Sequence, residues 1–330
     1  MSADRRPPTA DRRHGGGAGP AAAAGLVLAC ALLPLAGTRD LITAVFFTFL
    51  FLILALNFDI LGGFMGYMNL GQGAYFGLAA YLAALLLNSG WLDRLGAGDI
   101  PAAMAVAVAL TAVVAFGFAY PLFRLSGAYF AIATFGVVLL IRYLILNFPS
   151  VTGGSYGVYV NPRHYLGLYP AYYLGLALLC ASAGLTLAIA RSKFGLAFNA
   201  VRESEPTASA IGIDLFRAKR QALVLGAVPS ALAGAIFALQ AGYIDVDAAL
   251  GVDKTLLPVI MALLGGSGLV AGPLVGGAIM RSIDILLKNY LHLAFPALVI
   301  YGAILMGIGL LMPQGILNFF RERRRPAGHA

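Results

Sequence analysis

Long apolar stretches separated by short polar segments occupy most of the chain. There are ten of them, at residues 21–37, 41–61, 67–88, 101–123, 127–148, 168–190, 221–242, 255–265, 269–291 and 294–313. Most approach the roughly 20 apolar residues that a helix needs to cross a bilayer. The pattern predicts an all-α fold, a polytopic transmembrane helical bundle with about ten spans. The count falls to eight if the region 255–291 is re-entrant.

Composition favours a membrane protein over every soluble class. Of the 330 residues, 60% are apolar and 11% are charged, whereas soluble domains carry roughly 25% charged residues. So few charges could not cover the surface of a soluble fold of this size. We therefore exclude a cytosolic enzyme, a disordered chain and a nucleic-acid binder, and we expect membrane lipid around the bundle.

The placement of the basic residues predicts the topology. Lys and Arg cluster in the tail 1–20, in the polar segment 191–220 and in the tail 316–330. Such clusters mark cytoplasmic segments, because Lys and Arg resist translocation. Both termini and segment 191–220 are therefore predicted on the cytoplasmic side of a single transmembrane domain at 21–315. The N-terminal tail is predicted to be disordered.

The first apolar run allows two interpretations. Four arginines ahead of residues 21–37 are typical of a secretory signal. The sequence Pro34-Leu35-Ala36 is a poor cleavage site, however, which favours an uncleaved first span.

Glycines recur in two patterns. One places small residues four apart, which lets helices approach closely in lipid; it comprises Gly62 with Gly66 and Gly73 with Gly77. The other would break a helix at membrane depth; it comprises Gly265-Gly266-Ser267-Gly268 and Gly272-Pro273. Broken backbone is tolerated there only where protein or a water-filled cavity surrounds it. This late break is therefore a candidate pathway or gate, with tight packing as the alternative.

The polar segment 191–220 contains the signals of a short helix. Ser204 can cap it, Glu205 suits its positive end, and Pro206 is tolerated in the first turn. Gly212 supplies a stop just past the last turn. We predict a two-turn helix over residues 205–211 on the cytoplasmic surface. A rigid helix there is typical of a docking element, and an ordinary capped loop is the alternative.

Few residues carry candidate chemistry. Arg142 stands near the outer end of a span, where it can hold a substrate carboxylate or simply extend to the interface. Arg281, Asp284 and Lys288 lie three and four apart on one predicted helix face and are expected to neutralise one another. The four histidines never fall at ligand spacing. No metal site and no catalytic residue are therefore predicted.

Four ordered blocks resemble one family. Residues 202–213 resemble the coupling loop of ABC-importer permeases, most closely the M-type subunit of branched-chain amino-acid importers. Residues 55–77 resemble that family's glycine-rich block ahead of its third span. Residues 127–134, with Arg142 and the loop 152–155, resemble its fifth span and the loop that follows. Residues 265–273 resemble its late glycine block.

The resemblance implies a function and a set of partners. The chain would be a permease subunit in a bacterial inner membrane, forming half of the pathway for branched-chain amino acids or a related small polar solute. Its implied partners are an H-type permease, two cytoplasmic ATPase subunits and a periplasmic or extracellular substrate-binding protein. ATP and Mg would be bound by the ATPase subunits, and this chain would hold no cofactor.

The resemblance also suggests site residues. Those implied in coupling to the ATPases are Arg202, Glu205, Ala208 and Gly212. Those implied in the substrate pathway are Asn69, Gln72, Arg142, Thr152, Ser155, Gly266 and Gly268. The chain departs from the family pattern near this pathway, at Asp59, Gln72, Leu139 and Tyr156. These departures bear on the substrate more than on the class of transporter.

Two alternatives stay open. One is a urea, short-amide or sugar permease of the same superfamily. The other, from a different class, is an ion-coupled secondary transporter, which should show an internal repeat and acidic or histidine residues near the midplane. The sequence has no clear repeat, and Asp59 is its one candidate deep carboxylate apart from the Asp284 cluster.

Overall fold

The structure, a computed structural model, describes residues 20–91, 96, 98–286, 297–311 and 315–317. Nearly all of the described residues are helical. The long helices are α1 (Pro20–Ala36), α2 (Arg39–Gly62), α3 (Gln72–Asn88), α4 (Asp99–Leu122), α5 (Gly127–Asn147), α7 (Leu168–Arg191), α10 (Leu215–Ala241), α12 (Asp253–Gly265), α13 (Ala271–Ile285) and α14 (Ala297–Leu311). The shorter ones are α6 (Pro149–Thr152), α8 (Lys193–Glu203), α9 (Glu205–Ala210) and α11 (Val246–Leu250).

Each of the ten predicted apolar runs contains one of the long helices. Within the described residues, six stretches are long and apolar enough to cross a membrane, among them Val246–Gly265, which joins α11 to α12. The polytopic helical architecture is thereby confirmed. The number of spans, the domain boundaries and the sides of the two termini stay predictions.

Two predicted helix boundaries are wrong. Helix α3 begins at Gln72 rather than 67, because residues 63–71 form a non-helical loop in which Gly66 has a φ of +78°. We call residues 63–71 the glycine loop. Helix α10 begins at Leu215, ahead of its apolar run, because Asp214 caps it and accepts a hydrogen bond from the amide of Arg217 at 3.0 Å.

Helices α2 and α10 form the centre of the bundle. Helix α10 packs against α2, α3, α4 and α7, and α2 also packs against α7, α12 and α13. The ring of Phe237 on α10 contacts the rings of Phe47 and Phe76. Helix α2 buries all its faces from Phe49 to Leu61, which explains its lack of amphipathic periodicity. Helices α4 and α5 instead expose large apolar side chains, as expected at a lipid boundary.

Glycines hold α12 and α13 together as a hairpin. A Cβ atom at Gly265 would overlap the carbonyl oxygen of Gly272, and one at Gly276 would overlap that of Met261. The two helices therefore approach backbone to backbone. Between them lie residues 266–270, which we call the glycine break.

The two early glycine pairs behave differently. A Cβ at Gly73 would lie 2.6 Å from the hydroxyl of Thr255, and one at Gly77 would press on Leu250. Close helix approach is thus confirmed for this pair. It is wrong for the pair at 62 and 66, because Gly66 lies outside any helix.

The loops at the far end of α3 form a small cap. Strands β1 (Val158–Tyr159) and β2 (Tyr243–Ile244) pair antiparallel, which adds one two-residue ladder to the predicted all-α fold. The imidazole Nε2 of buried His164 lies 2.8 Å from Oδ2 of Asp99 at the start of α4. This histidine therefore serves the packing of the loops.

Candidate functional site

The polar segment contains two helices where the sequence predicted one. Ser192 caps α8 by accepting a hydrogen bond from the amide of Phe194 at 3.2 Å, and Ser204 caps α9 by accepting one from Thr207 at 3.4 Å. Helix α9 is the predicted helix, ending one residue early, with Gly212 at a φ of +87° just beyond it. Helix α8 was missed. We call residues 192–214 the coupling segment.

Glu205 joins the coupling segment to two other elements. Its carboxylate accepts a hydrogen bond from Lys219 Nζ on α10 at 2.8 Å and another from the hydroxyl of Tyr67 in the glycine loop. The Lys219 ammonium also lies 4.6 Å from the centre of the Tyr67 ring. Burial raises the pKa of the Glu205 carboxyl, but the two hydrogen bonds outweigh that effect and hold the pKa below its ordinary value.

Arg202 makes a second link, to both glycine-rich segments at once. Its Nη1 donates to the carbonyl oxygen of Gly63 at 2.6 Å. A Cβ atom at Gly66 would lie 3.2 Å from the Arg202 Cγ, and one at Gly268 would lie 3.1 Å from its Nη1. The coupling segment therefore touches the glycine loop and the glycine break, two regions that are distant from it in sequence.

Asp59 completes this junction from inside the bundle. It is fully buried at the end of α2, and its Oδ1 accepts a hydrogen bond from the amide of Gly268 at 2.8 Å. Gly266 and Gly268 have φ values of +110° and +82°, which side chains rarely adopt. The backbone angles are thus consistent with the predicted need for glycine at these two positions. The hydrogen bond to Asp59 holds the glycine break against the end of α2.

Ala208 does not have the exposure that a docking contact needs. Its side chain is buried within the chain's own fold, and its carbonyl accepts a hydrogen bond from the amide of Ile213 at 3.0 Å. The contact of Ala208 with an ATPase stays a prediction, and the exposed residues of α9 are better placed to make one. The outward face of α9 is formed by Pro206, Thr207, Ser209 and Ala210, followed by Ile211.

Asn69 and Gln72 lie inside the bundle at the start of α3. The Asn69 Oδ1 accepts a hydrogen bond from the amide of Gly71 at 2.9 Å, which shapes the glycine loop. The Oε1 of Gln72 accepts one from the Ser230 hydroxyl at 3.0 Å, and Asn57 donates to the same hydroxyl at 3.2 Å. In this conformation both predicted pathway residues are occupied by protein contacts.

Arg142, Thr152 and Ser155 have separate surroundings. The Arg142 guanidinium forms an ion pair with Asp247 on α11 at 2.6 Å, so it holds a carboxylate of this chain. The Thr152 hydroxyl donates to the carbonyl of Phe148 at 2.9 Å, which closes a turn. Ser155 is exposed in the loop after α6. The structure does not bring these three residues to the glycine break.

Sequence reasoning missed charges beside the middle of α2. Lys254 at the start of α12 pairs with Asp253 at 2.6 Å. Arg281 pairs with Asp284 as predicted, while Lys288 lies outside the described residues. The adjacent acid and base just ahead of an apolar run were the available signal, since ionisable residues within a span are a functional hypothesis by default.

Comparison with known proteins identifies similar permeases. The high-affinity branched-chain amino acid transport system permease protein LivM of Escherichia coli is 25% identical over 316 residues, covering 87% of this chain and 71% of that protein. LivH of the same organism is 25% identical over 285 residues, covering 81% and 90%. The autoinducer 2 import system permease protein LsrC of Klebsiella pneumoniae is 26% identical over 255 residues, covering 74% and 70%.

No solved structure matches the chain. The family described as "Branched-chain amino acid transport system / permease component" matches residues 20–311. Because this match spans most of the sequence, the chain belongs to that family and is a multi-pass inner-membrane permease.

Proposed function

We propose that the chain is the M-type permease subunit of an ATP-driven importer of branched-chain amino acids. The observation that carries the proposal is the contact of the coupling segment with both glycine-rich segments. Arg202 reaches Gly63 and Gly268, and Glu205 reaches Tyr67 and Lys219. A displacement of α9 therefore moves the glycine loop and the glycine break, whose backbone is already non-helical. The relatives named LivM and LivH support the substrate class.

The proposed assembly contains an H-type permease, two cytoplasmic ATPase subunits and a periplasmic or extracellular substrate-binding protein. Similarity to both LivM and LivH supports a pair of related permeases enclosing one pathway. ATP and Mg belong to the ATPase subunits, and this chain binds solute without chemical conversion. Closure of the ATPases shifts α9 and biases the bundle between two states that open to opposite sides.

A sugar-type permease is the second candidate function. The observation that favours it is the similarity to LsrC, a permease protein of an autoinducer 2 import system. Uptake by the assembled importer of labelled leucine against a labelled sugar distinguishes the two. A urea or short-amide substrate is tested in the same assay.

Reconstitution tests the class of transporter. We expect proteoliposomes that contain both permeases and the binding protein to take up leucine only when the ATPase subunits and ATP are present. Ser209→Trp, on the exposed face of α9, should lower ATP hydrolysis and uptake together because it blocks docking. Uptake by the purified permease without any ATPase would establish the ion-coupled secondary transporter instead.

Cysteine labelling tests the proposed orientation. A cysteine at Ser204 or in the tail 316–330 should be shielded from an impermeant thiol reagent in intact cells, whereas one at Tyr159 should react. The physical reason is the clustering of Lys and Arg beside Ser204 and in the tail. Labelling of Ser204→Cys from outside would overturn the layout.

A further inference from the structure

One end of the bundle carries arginines and aromatic rings on its outer surface. They lie where α4 ends and α10 begins, at the end that carries the coupling segment. Phe116 and Tyr120 come from α4, Arg124 from the turn after it, and Phe216 and Arg220 from α10. We call these five residues the arginine patch.

Aromatic rings hold both guanidinium groups of the arginine patch. The Arg220 Cζ lies 4.4 Å from the centre of the Phe116 ring and 5.3 Å from that of Phe216. The Arg124 Cζ lies 4.3 Å from the centre of the Tyr120 ring, and its Nη2 donates a hydrogen bond to the Tyr120 hydroxyl. The rings of Tyr120 and Phe216 meet edge to face, with their centres 6.3 Å apart. Two neighbouring helices thus fix both cations in one cluster.

This chain supplies no counter-charge to either cation. Within the part of the chain that the structure describes, no carboxylate forms an ion pair with Arg124 or Arg220. The acidic residue nearest to Arg220 in sequence is Asp214, and its carboxylate is already paired with Arg217 at 3.0 Å. The arginine patch therefore presents two positive charges to its surroundings.

The arginine patch lies at the boundary of two apolar segments. Arg124 directly follows the apolar run 101–123, and Arg220 directly precedes the run 221–242. Residue 116 contacts residue 220 and residue 120 contacts residue 216, so α4 and α10 run antiparallel and bring both arginines to the same end of the bundle. Lipid headgroups meet a spanning helix at this level, where tyrosine rings and, on the cytoplasmic side, basic residues are enriched.

An exposed apolar face of α4 leads away from the arginine patch along the helix. Its side chains recur every three or four residues and so share one side of α4: Val106, Leu110, Val113, Phe116 and Tyr120. Phe116 and Tyr120 are 53% and 60% exposed. An apolar helix of another subunit would cover this face but leave both guanidinium groups without a counter-charge, which is costly away from water. A phospholipid matches both parts, because its acyl chains suit the apolar face and its phosphate suits the two cations.

We infer that the arginine patch binds the phosphate of an anionic phospholipid, whose acyl chains lie along the exposed face of α4. A guanidinium held on a ring face keeps N–H donors available, and their geometry matches phosphate oxygens. Basic pockets between spanning helices are a recurrent kind of site for anionic headgroups. The inference concerns the lipid around this chain and does not rest on the solute that it carries.

Fluorescence quenching by brominated phospholipid tests the inference at the arginine patch itself. The chain has a single tryptophan, Trp91, so the double variant Trp91→Phe/Phe116→Trp has its one reporter in the patch and keeps a ring face for Arg220. The full-length chain is reconstituted into phosphatidylcholine vesicles that contain either brominated phosphatidylglycerol or brominated phosphatidylcholine at the same mole fraction. We expect the relative binding constant at the reporter to favour phosphatidylglycerol at least about fivefold, because two cations attract its phosphate.

Charge variants in the reporter background separate the patch from the general basic character of this end. Adding Arg124→Gln and Arg220→Gln should lower the preference for phosphatidylglycerol to about one, since only the apolar contacts remain. The matched control adds Arg191→Gln and Arg217→Gln, two exposed arginines beside and within the polar segment 191–220. It removes the same positive charge outside the patch and should keep the preference.

Equal quenching by the two brominated lipids, or an equal loss of preference in the control, would overturn the inference and leave the arginines as topology determinants alone. Quenching by neither lipid would also overturn it, because the patch would then be covered by protein. None of these results bears on the proposed function, since the assay contains no ATPase subunit and measures no uptake.

Discussion

Two places along helix α2 bring charged side chains together, and the two places differ in kind. At its end, Asp59 and Gly63 bind a backbone amide and a guanidinium from segments far away in sequence. At its middle, Phe51 lies between two cations that are paired with carboxylates on their own helices. The first arrangement fixes separate segments to one another. The second keeps each cation beside a carboxylate of its own helix.

This difference separates contacts between remote segments from contacts within one helix. Contacts that fix the coupling segment to the bundle should transmit ATPase movement whatever solute is carried. The ion pairs beside Phe51 join neighbouring charges of one helix and should stabilise the bundle without altering ATP hydrolysis. Variants at the end of α2 that change substrate preference would contradict this comparison. Variants there that alter ATP hydrolysis alone would support it.

The largest effect is expected from Gly268→Leu. The residue has a φ of +82°, and a Cβ there would lie 3.1 Å from Arg202 Nη1. A leucine is therefore strained and also displaces the arginine, so uptake should fall more than about thirtyfold for every solute while membrane abundance stays near normal. The control is Gly117→Leu on α4, where no described atom lies within 4 Å of a Cβ. Full uptake by Gly268→Leu would reduce the glycine break to a plain loop.

A smaller effect is expected at Asp59, where two substitutions separate hydrogen bonding from charge. Asp59→Leu removes the acceptor for the Gly268 amide and leaves a buried donor unpaired, so uptake should fall about tenfold. Asp59→Asn keeps an acceptor oxygen and should retain about half of the activity. Radiolabelled leucine uptake measures both. An inactive Asp59→Asn would show that the charge itself is needed, as in an ion-coupled carrier.

A third prediction concerns the pair of Glu205 and Lys219. Glu205→Gln leaves the nearly buried Lys219 without its counter-charge, so stimulation of ATP hydrolysis by loaded binding protein should fall about fivefold. Adding Lys219→Met should restore part of it, because no unpaired charge then remains. The exposed pair of Asp214 and Arg217 supplies the control, since Arg217→Gln removes this ion pair, leaves Asp214 to cap α10 and should change little. If ATP hydrolysis in the double variant were stimulated no more than in Glu205→Gln, the result would contradict the pairing of Glu205 with Lys219.

The sequence predicts most of the local structure, because periodicity and caps act over a few residues. The ten apolar runs and the cap at Ser204 reappear as helices, and Gly212 ends α9 as expected. Helix α8 was missed because only Gly195, Phe198 and Val201 of its 11 residues are buried, so the helix does not appear as an apolar run.

The contacts between remote segments could not be predicted in the same way. Nothing in residues 202–205 indicates that Arg202 will meet Gly63 and Gly268, because that meeting depends on how α2, α10 and α12 pack. Ala208 illustrates the same limit, since a small residue on a short helix can face a partner or its own bundle.

The smallest expected effect is the pH dependence of the Glu205 contact. The hydrogen bonds from Lys219 and Tyr67 lower the pKa of Glu205 in the folded chain, so the contact is fully present above the unfolded value of about 4.3 and is lost as the pH falls through the folded value. We expect wild type to melt about 2 °C above Glu205→Gln from pH 7 to pH 5, since the side chain is partly exposed and screened by solvent. That difference should shrink below about pH 4, as measured by thermal melting in detergent. A difference that vanished near pH 6 would show that Lys219 does not hold Glu205 ionised, and the coupling segment would lose one of the contacts that fix it to the bundle.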